Sequence, residues 1–522
     1  MMRSESGALD TEHDISPRHG REIGSTGAGK AGRVFPGKAV IGALFASLEE
    51  KGVRYCHWKS NIRLEETLAG VEDIDLLVDR RHAGLFRAAL LENGFKLAPS
   101  RSGIGHPGVF HALALDEASG ELVHLHAYYQ IVTGDSLVKT YRLPIENVLL
   151  ERTRRMHGVK VPEVEAELVL FALRIALKHV SPIELLMVNR HYGKVLHELA
   201  WLRGAANARN AEALCTAAMP GIDPTLLNQL LEAIGNEGAI LRRVILGRRV
   251  AHRLADWRRL SPALAAASRL WRLLSLTLGR LRRRKGLMPE AGGMIVALVG
   301  PKATGKSTLA SELSARLGRH LDTHRIHAGK PPATALTLLP RLLLPVARAL
   351  FRNERTQEYE TQERRQLKQY SLLYILRMTM LGYERYRLLR RALRIATAGG
   401  VVISDRYPSP SIGAIDSSCF DELALAKCNS PLKRWLMKKE RAYYKAMPKP
   451  DLVIRLMAPM DTAIRRDAQR SKPGGPDAEA VQRRWQLESH AVVFGAPVIP
   501  CDTSRPLEDT VRATVAAIWA VL

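Results

Sequence analysis

The densest chemistry in this chain lies in the run Gly300-Pro-Lys-Ala-Thr304-Gly305-Lys306-Ser307-Thr308. A G-x-x-x-x-G-K-[ST] run supplies what a triphosphate needs. Its glycines let backbone N–H groups approach the phosphates, its lysine reaches the β- and γ-phosphates, and its hydroxyl meets Mg2+. Gly300, Thr304, Gly305, Lys306, Ser307 and Thr308 are therefore candidate nucleotide-binding residues. Lys306 also neutralises charge that develops during phosphoryl transfer, and Ser307 is a candidate metal ligand. Further along, Val401-Val402-Ile403-Ser404-Asp405-Arg406-Tyr407 ends a β-branched run in a carboxylate and a guanidinium. Asp405 is placed to hold the water shell of Mg2+, and Arg406 to grip an acceptor phosphate. Arg465, Arg466 and Arg470, ahead of Lys472-Pro-Gly-Gly475, suit a lid that closes over transferring phosphates and excludes water.

A second constellation stands in the first half. Asp73 and Asp75, in Gly70-Val-Glu-Asp73-Ile-Asp75-Leu-Leu-Val78, are two apart on a strand, so both side chains face one way and can share a divalent cation. Lys59-Ser60-Asn61 precedes them, where a loop can touch phosphates. On the run Glu121–Tyr128, His124 and His126 alternate onto one face, available to a metal or a phosphate.

These groups need elements to hold them. Met294–Val299 is the short apolar run of a buried parallel strand, and it leads into the glycine-rich turn and the helical pattern Leu309–Leu317. Strands are also expected at Ile74–Val78, Glu121–Tyr128, Val401–Ser404, Asp451–Leu456 and Val498–Cys501. Tyr55 onward reads as a loop and then a helix before Ile74. A helix is expected over Asp461–Ser471 and an amphipathic one at the C-terminus. In an open parallel sheet the ligand lies at the carboxyl ends of the strands, where Asp405 falls. The expected division is a flexible tail (1–35), a mixed α/β region (36–162), a helical connector (163–290) and an α/β domain (291–522). Within the tail, Gly24-Ser-Thr-Gly-Ala-Gly29-Lys30 imitates the phosphate loop, but Ala31 has no hydroxyl and no apolar strand precedes it.

At 522 residues the chain is long enough for two or three domains, and 46% hydrophobic with 25% charged residues excludes a wholly disordered or fibrous protein. A formal charge of +26 attracts polyanions: nucleotides, nucleic acid, anionic glycans or an acidic membrane surface. Charge alone does not choose among them. Residues 242–285 hold 14 Lys/Arg against Asp256, interleaved with leucines, Trp257 and Trp271, as a basic amphipathic stretch suited to an anionic surface or to solvent. Five scattered cysteines without a CxxC pair fit a reducing, cytoplasmic setting. No secretory leader and no transmembrane segment is expected.

The second half resembles the thymidylate-kinase-like branch of the nucleoside monophosphate kinases. The resemblance rests on the phosphate loop, the strand ending Asp405-Arg406-Tyr407, the arginine-bearing segment and Asp502-Thr503-Ser504 before the last helix. It covers about 294–522 and implies a Rossmann-like parallel sheet, ATP with Mg2+ as donor, and a phosphorylated small molecule as acceptor. By the same resemblance Asp405 and Arg406 act on the metal and acceptor sides, and Asp502 and Ser504 lie against the donor adenine. Two positions depart from that family's pattern. Lys302 replaces an acid that meets the acceptor sugar, and Ser409-Pro-Ser-Ile-Gly-Ala414 replaces Ser-x-x-Ala-Tyr-Gln. Lys302 points to a more anionic or differently shaped acceptor. Residues 40–144, with Trp58-Lys-Ser-Asn61 and the Asp-x-Asp pair, resemble a group of uncharacterised bacterial nucleotidyltransferase-like proteins, an α+β fold. That class uses a third carboxylate where His124 stands.

The expectation is an ATP-dependent phosphotransferase. Its alternatives are an ATP-binding regulatory protein that holds a polyanion, and metal-dependent nucleotidyl transfer by the first half. A homodimer is compatible with the sequence, which fixes no oligomeric state.

Overall fold

Strands of mixed apolar and polar residues build the first half, and the central strand of the second half is an unbroken apolar run, Ile295–Val299. The computed structural model describes residues 35, 37–100, 105–281, 286–338, 370–409, 412, 416–468, 482, 485–486 and 495–522. The 1–35 tail with its Gly24–Ala31 run, Arg282–Lys285 and Arg470 lie outside the described residues, apart from Phe35.

The first sheet contains β1 (Tyr55–His57), β2 (Ile74–Val78), β3 (Lys96–Leu97), β4 (Val109–Asp116) and β5 (Glu121–Tyr128), in the order β1-β2-β5-β4-β3. Only β2 and β5 run parallel, with Asp75 level with His126. Tyr55–His57, expected as loop, is a strand because its residues pair antiparallel with Leu76–Val78 and are all buried. Two hairpins follow, β6 (Ile131–Thr133) with β7 (Tyr141–Leu143), and β8 (Thr153–Met156) with β9 (Val159–Pro162).

Helices occupy most of 164–281, as expected. They are more than a connector. One apolar core runs from Cys56, Trp58 and Tyr128 through the helix Val164–Lys178 to Val250 and Leu254. Several arginines of the basic stretch are committed to the fold. Arg243 stacks on Tyr192, Arg258 bonds the Tyr141 hydroxyl, Arg259 bonds the Lys139 carbonyl, and Arg269 pairs with Asp135 at 2.6 Å.

The second sheet is all parallel: β10 (Ile295–Val299), β11 (Thr323–His327), β12 (Val401–Asp405), β13 (Leu452–Met457) and β14 (Val498–Asp502), ordered β11-β12-β10-β13-β14. Buried on both faces, β10 and β12 need Ile and Val rather than alternation. The β11 strand went unrecognised in the sequence because Thr-His-Arg-Ile-His carries little apolar signal at the sheet edge.

The two sheets share a core. Leu113, Leu115 and Leu122 of the first pack with Leu309 and Leu313 of the helix Lys306–Leu317 and with Val515 and Ile518 of the C-terminal helix Leu507–Val521. Each fully buried aliphatic side chain contributes about 1.5–3 kcal/mol, so the two halves hold each other. Arg319 pairs with Glu121 at 2.7 Å across the seam. All five cysteines are free thiols. Among the described residues no helix is long and apolar enough to cross a membrane.

Candidate functional site

The carboxyl end of β10 turns through the glycine-rich loop into the helix Lys306–Leu317. Gly300, Ala303 and Gly305 take positive φ of 138°, 66° and 86°. Left-handed residues at this spacing turn successive N–H groups toward one point and make an anion-binding nest beside a helix N-terminus. At Gly300 a Cβ would lie 2.3 Å from the Leu456 carbonyl oxygen, so only glycine passes β13 there. The Thr304 hydroxyl is fully buried and donates to the Pro301 carbonyl at 2.8 Å, bracing the loop from within. The Lys306 amine spans it, donating to the carbonyls of Gly300 (2.8 Å) and Pro301 (2.6 Å).

Beside the loop, β12 pairs with β10 and carries Asp405 to the same edge, Leu298 level with Asp405. The Ser307 hydroxyl donates to Asp405 Oδ2 at 2.6 Å. Asp405 is 1% exposed, and its Oδ1 has no hydrogen-bond partner among the described residues. A buried carboxylate oxygen without a donor is costly. A hydrated divalent cation held by Asp405 and Ser307 would satisfy it, so the donor set fits Mg2+. Arg325 approaches Asp405 only to 3.9 Å. His327 ends β11 level with Asp405; burial holds its pKa below the usual value, opposed by the Asp405 charge.

Arg406 follows in a left-handed backbone (φ 77°), a conformation costing roughly 1–3 kcal/mol for a non-glycine residue. Two bonds hold it there: its N–H to the Leu298 carbonyl at 3.1 Å and its carbonyl to the Ser404 hydroxyl at 2.6 Å. The turn aims its side chain at Asp416, whose Oδ2 is 3.6 Å from Arg406 Nη1. Asp416 is in turn gripped by Arg385, which is nearly fully buried and also bonds the Ala328 carbonyl (3.1 Å) and the Tyr444 hydroxyl (2.5 Å). Sequence reading missed this Tyr444–Arg385–Asp416 chain. Its one signal was an arginine facing inward on the amphipathic helix Leu372–Thr397.

At the far side of the same edge, β13 and β14 end level at Met457 and Asp502, with β13 between β14 and β10. With strands about 4.8 Å apart, this loop stands about 10 Å from the phosphate loop. The Ser504 N–H and hydroxyl both bond Asp502 Oδ1, at 2.9 and 2.7 Å. The expected lid helix is Met460–Ala468 in the described residues. Its Arg466 bonds the Thr503 carbonyl at 2.8 Å, so here it anchors the Asp502–Ser504 loop. Thus Lys306, Ser307 and Asp405 come together, with Arg406 beside them, while Arg466 sits with Asp502 and Ser504.

In the first sheet Asp73 and Asp75 do face one way, but each meets a histidine of β5. His124 Nδ1 lies 2.7 Å from Asp73 and His126 Nδ1 3.3 Å from Asp75. His111 adds a contact of 2.9 Å to His124 and stacks on His126 with centroids 4.3 Å apart. The Lys59 amine is 2.7 Å from Asp75. Burial raises the Asp75 carboxyl, but the Lys59 charge and the His126 bond outweigh it and hold it well below the usual carboxylate range. Among the described residues no group of three or more His, Cys, Asp or Glu is arranged to hold a metal ion.

No family model matches the chain. It is 28% identical over 235 residues to the uncharacterized ATP-binding protein YghR of Escherichia coli (strain K12), covering 44% of this chain and 87% of that one. It is 26% identical over 249 residues to the uncharacterized ATP-binding protein YghS of the same strain, covering 46% and 99%. Among solved structures, deoxyadenosine kinase from M. mycoides with bound dCTP is similar over 43% of this chain and 98% of its own, at 13% identity and a TM-score of 0.24. A sugar kinase from Janibacter sp. HTCC2649 covers 43% and 93%, at 14% identity and a TM-score of 0.23. The C-terminal part of this chain is the part that resembles them.

Proposed function

We propose that the chain is an ATP-dependent phosphotransferase of the thymidylate-kinase-like class, moving the γ-phosphoryl group of ATP to a phosphorylated small molecule. The observation that carries this reading is the 2.6 Å contact between Ser307 and the buried Asp405, whose Oδ1 has no donor among the described residues. That pair, at the mouth of a left-handed nest capped by Lys306, matches the needs of a nucleoside triphosphate with Mg2+. The ATP-binding designation of the YghR and YghS relatives supports the choice of nucleotide.

In this reading the backbone of Gly300–Gly305 and Thr308 holds the donor phosphates, and the Lys306 amine leaves the loop carbonyls for them. Ser307 and Asp405 hold Mg2+, which when bound neutralises donor phosphate oxygens. Arg406, aimed by Asp416, orients the acceptor phosphate. Arg466 and Arg470 stabilise charge on the transferring group, and Asp502 and Ser504 edge the adenine pocket. Lys302 suits an acceptor richer in anionic groups than a nucleoside monophosphate. The chain then divides as tail (1–35), mixed-sheet domain (36–162), helical region (163–290) and kinase domain (291–522).

The test is ADP release from ATP-Mg2+ across a panel of nucleoside monophosphates and sugar phosphates, with Lys306→Ala as control. Acceptor-dependent ADP release that Lys306→Ala abolishes is the expected result. ATP binding without ADP release for any acceptor in the panel replaces the enzyme with an ATP-binding regulator.

A further inference from the structure

The helix Val164–Lys178 is buried along nearly its whole length, and between Ala166 and His179 only Arg174 and Lys178 reach even partial exposure. They stand one turn apart, a like-charge pair that weakens a helix by a few tenths of a kcal/mol. Two more cations converge on them. Arg174 lies over the Trp58 ring, 5.0 Å from its centre, and the Lys59 amine lies 5.3 Å from the same centre and 5.5 Å from that of Tyr128. Lys139 comes from a tight turn in which it takes a left-handed backbone of φ 53°.

That turn is held by the basic stretch. Arg259 bonds the Lys139 carbonyl, Arg272 the Leu137 carbonyl, and Arg269 the Asp135 carboxylate. Asp135 also accepts from the Ser181 hydroxyl, next to the end of the Arg174–Lys178 helix. Lys59 and Arg174 thus share the Trp58 ring, Lys178 stands one turn along the helix from Arg174, and Lys139 is near enough to feel all three charges. Among the described residues the carboxylates that touch them are Asp75, on Lys59, and Glu184, 3.8 Å from Lys178, with Glu198 near enough to act on Lys178 as well. The cations still outnumber these carboxylates. Burial and the positive charges of Lys59, Lys178 and Arg174 push the Lys139 amine down to about 7. An assembly of this kind is destabilising unless an anion completes it.

We propose that Lys59, Lys139, Arg174 and Lys178 form a binding site for the dianionic phosphoryl group of a phosphorylated small molecule, distinct from the Lys306 loop. A phosphomonoester, at about −1.5 to −2, supplies negative charge that the cluster lacks and favours the protonated form of Lys139. The planar Arg174 fork offers paired donors to two phosphate oxygens, and three ammonium groups supply donors to the rest. Trp58 and Tyr128, buried and set edge to face, are the rings on which Lys59 and Arg174 rest. Asp75, already ion-paired, acts as the partner that positions Lys59.

The site is tested without ATP, so its outcome is independent of the kinase reading. Inorganic phosphate is titrated into the full Lys306→Ala chain in EDTA, by calorimetry and thermal melting. One phosphate is expected to bind and to raise the Tm, and adding Lys139→Met or Arg174→Gln is expected to weaken it at least tenfold. Failure of the Lys306→Ala chain to bind phosphate, or binding that Lys139→Met leaves unchanged, overturns the proposal. Competitive acetylation of the unmutated chain, read by mass spectrometry, avoids any folding defect. Phosphate is expected to slow labelling of Lys139 and Lys178 severalfold, and equal rates with and without it overturn the site. Glycerol phosphate binding tighter than inorganic phosphate identifies an ester as the ligand, and the reverse order identifies free phosphate.

Discussion

Two cationic sites stand in the two halves of this molecule, and they are built in opposite ways. In the second half a single stretch of nine residues, Gly300–Thr308, does most of the work through its backbone, and Lys306, one of its two lysines, is compensated by the carbonyls of Gly300 and Pro301. In the first half the charge comes from side chains at 59, 139, 174 and 178, and among the described residues no pair of carbonyls is bonded to them. A backbone nest tolerates exchange of most of its side chains. A side-chain cluster depends on each member, and on the arginines that hold the Lys139 turn. The first kind of site is stable with or without its anion; the second stores repulsion that an anion relieves.

The largest effect expected on that contrast is from Lys306→Ala, which removes the charge over the transferring group. It should lower kcat/KM by about 10²–10³-fold, measured by ADP release, while leaving phosphate binding in the first half intact. Asp405→Asn comes next. It keeps the shape of the site but removes the carboxylate, and should weaken Mg2+ about 10–100-fold, read as the Mg2+ dependence of the rate with the Tm little changed. Asp416→Asn strands the buried Arg385 and frees Arg406. A loss of several kcal/mol of stability, about 3–5, is expected in denaturant unfolding, with Tyr444→Phe as a milder variant that raises the acceptor KM and not that of ATP.

The smallest effect concerns pH. The Lys139 amine is at about 7 in the folded chain and at its ordinary, higher value when unfolded. Facing it are Lys59, Arg174, Lys178 and Asp75, and it faces His106 in turn. Above pH 7 the unfolded chain binds the extra proton, so this lysine makes stability rise from about pH 7 toward its unfolded pKa, by at most about 1.4 kcal/mol per pH unit. Lys139→Met should flatten that rise, and phosphate should flatten it too by keeping the amine protonated. An identical slope in Lys139→Met assigns the titration to another group.

The same contrast explains what the sequence disclosed. Met294–Val299, the glycine-rich turn and its helix are contiguous, and local pattern sufficed to find strand, nest, Lys306 and Ser307. The β-branched run 401–403 located Asp405 at the correct edge, since parallel strands align their carboxyl ends. Period 2 also placed Asp73 and Asp75 on one face. It did not reveal that His124 and His126 stand level with them, because register between β2 and β5 is a tertiary fact. The basic stretch 242–285 read as a face for an anionic surface or for solvent, yet Arg243, Arg258, Arg259, Arg269 and Arg272 all bond the fold. Composition reports charge but not its direction. Arg385 showed only as an inward position on an amphipathic helix, Asp416 and Tyr444 gave no local signal, and neither did the meeting of Lys59, Lys139, Arg174 and Lys178. Only the turn at 135–140, packed against the end of a buried helix, unites them.

The central claim is that the glycine-rich turn and Asp405 together take a nucleoside triphosphate with its metal. Calorimetric titration of ATP into the full chain, with and without Mg2+, tests it most directly. The expected result is saturable uptake that Mg2+ strengthens, that Lys306→Ala removes, and that Asp405→Asn renders insensitive to the metal. Folded protein that takes up no ATP, or binds it equally well after Lys306→Ala, contradicts the claim.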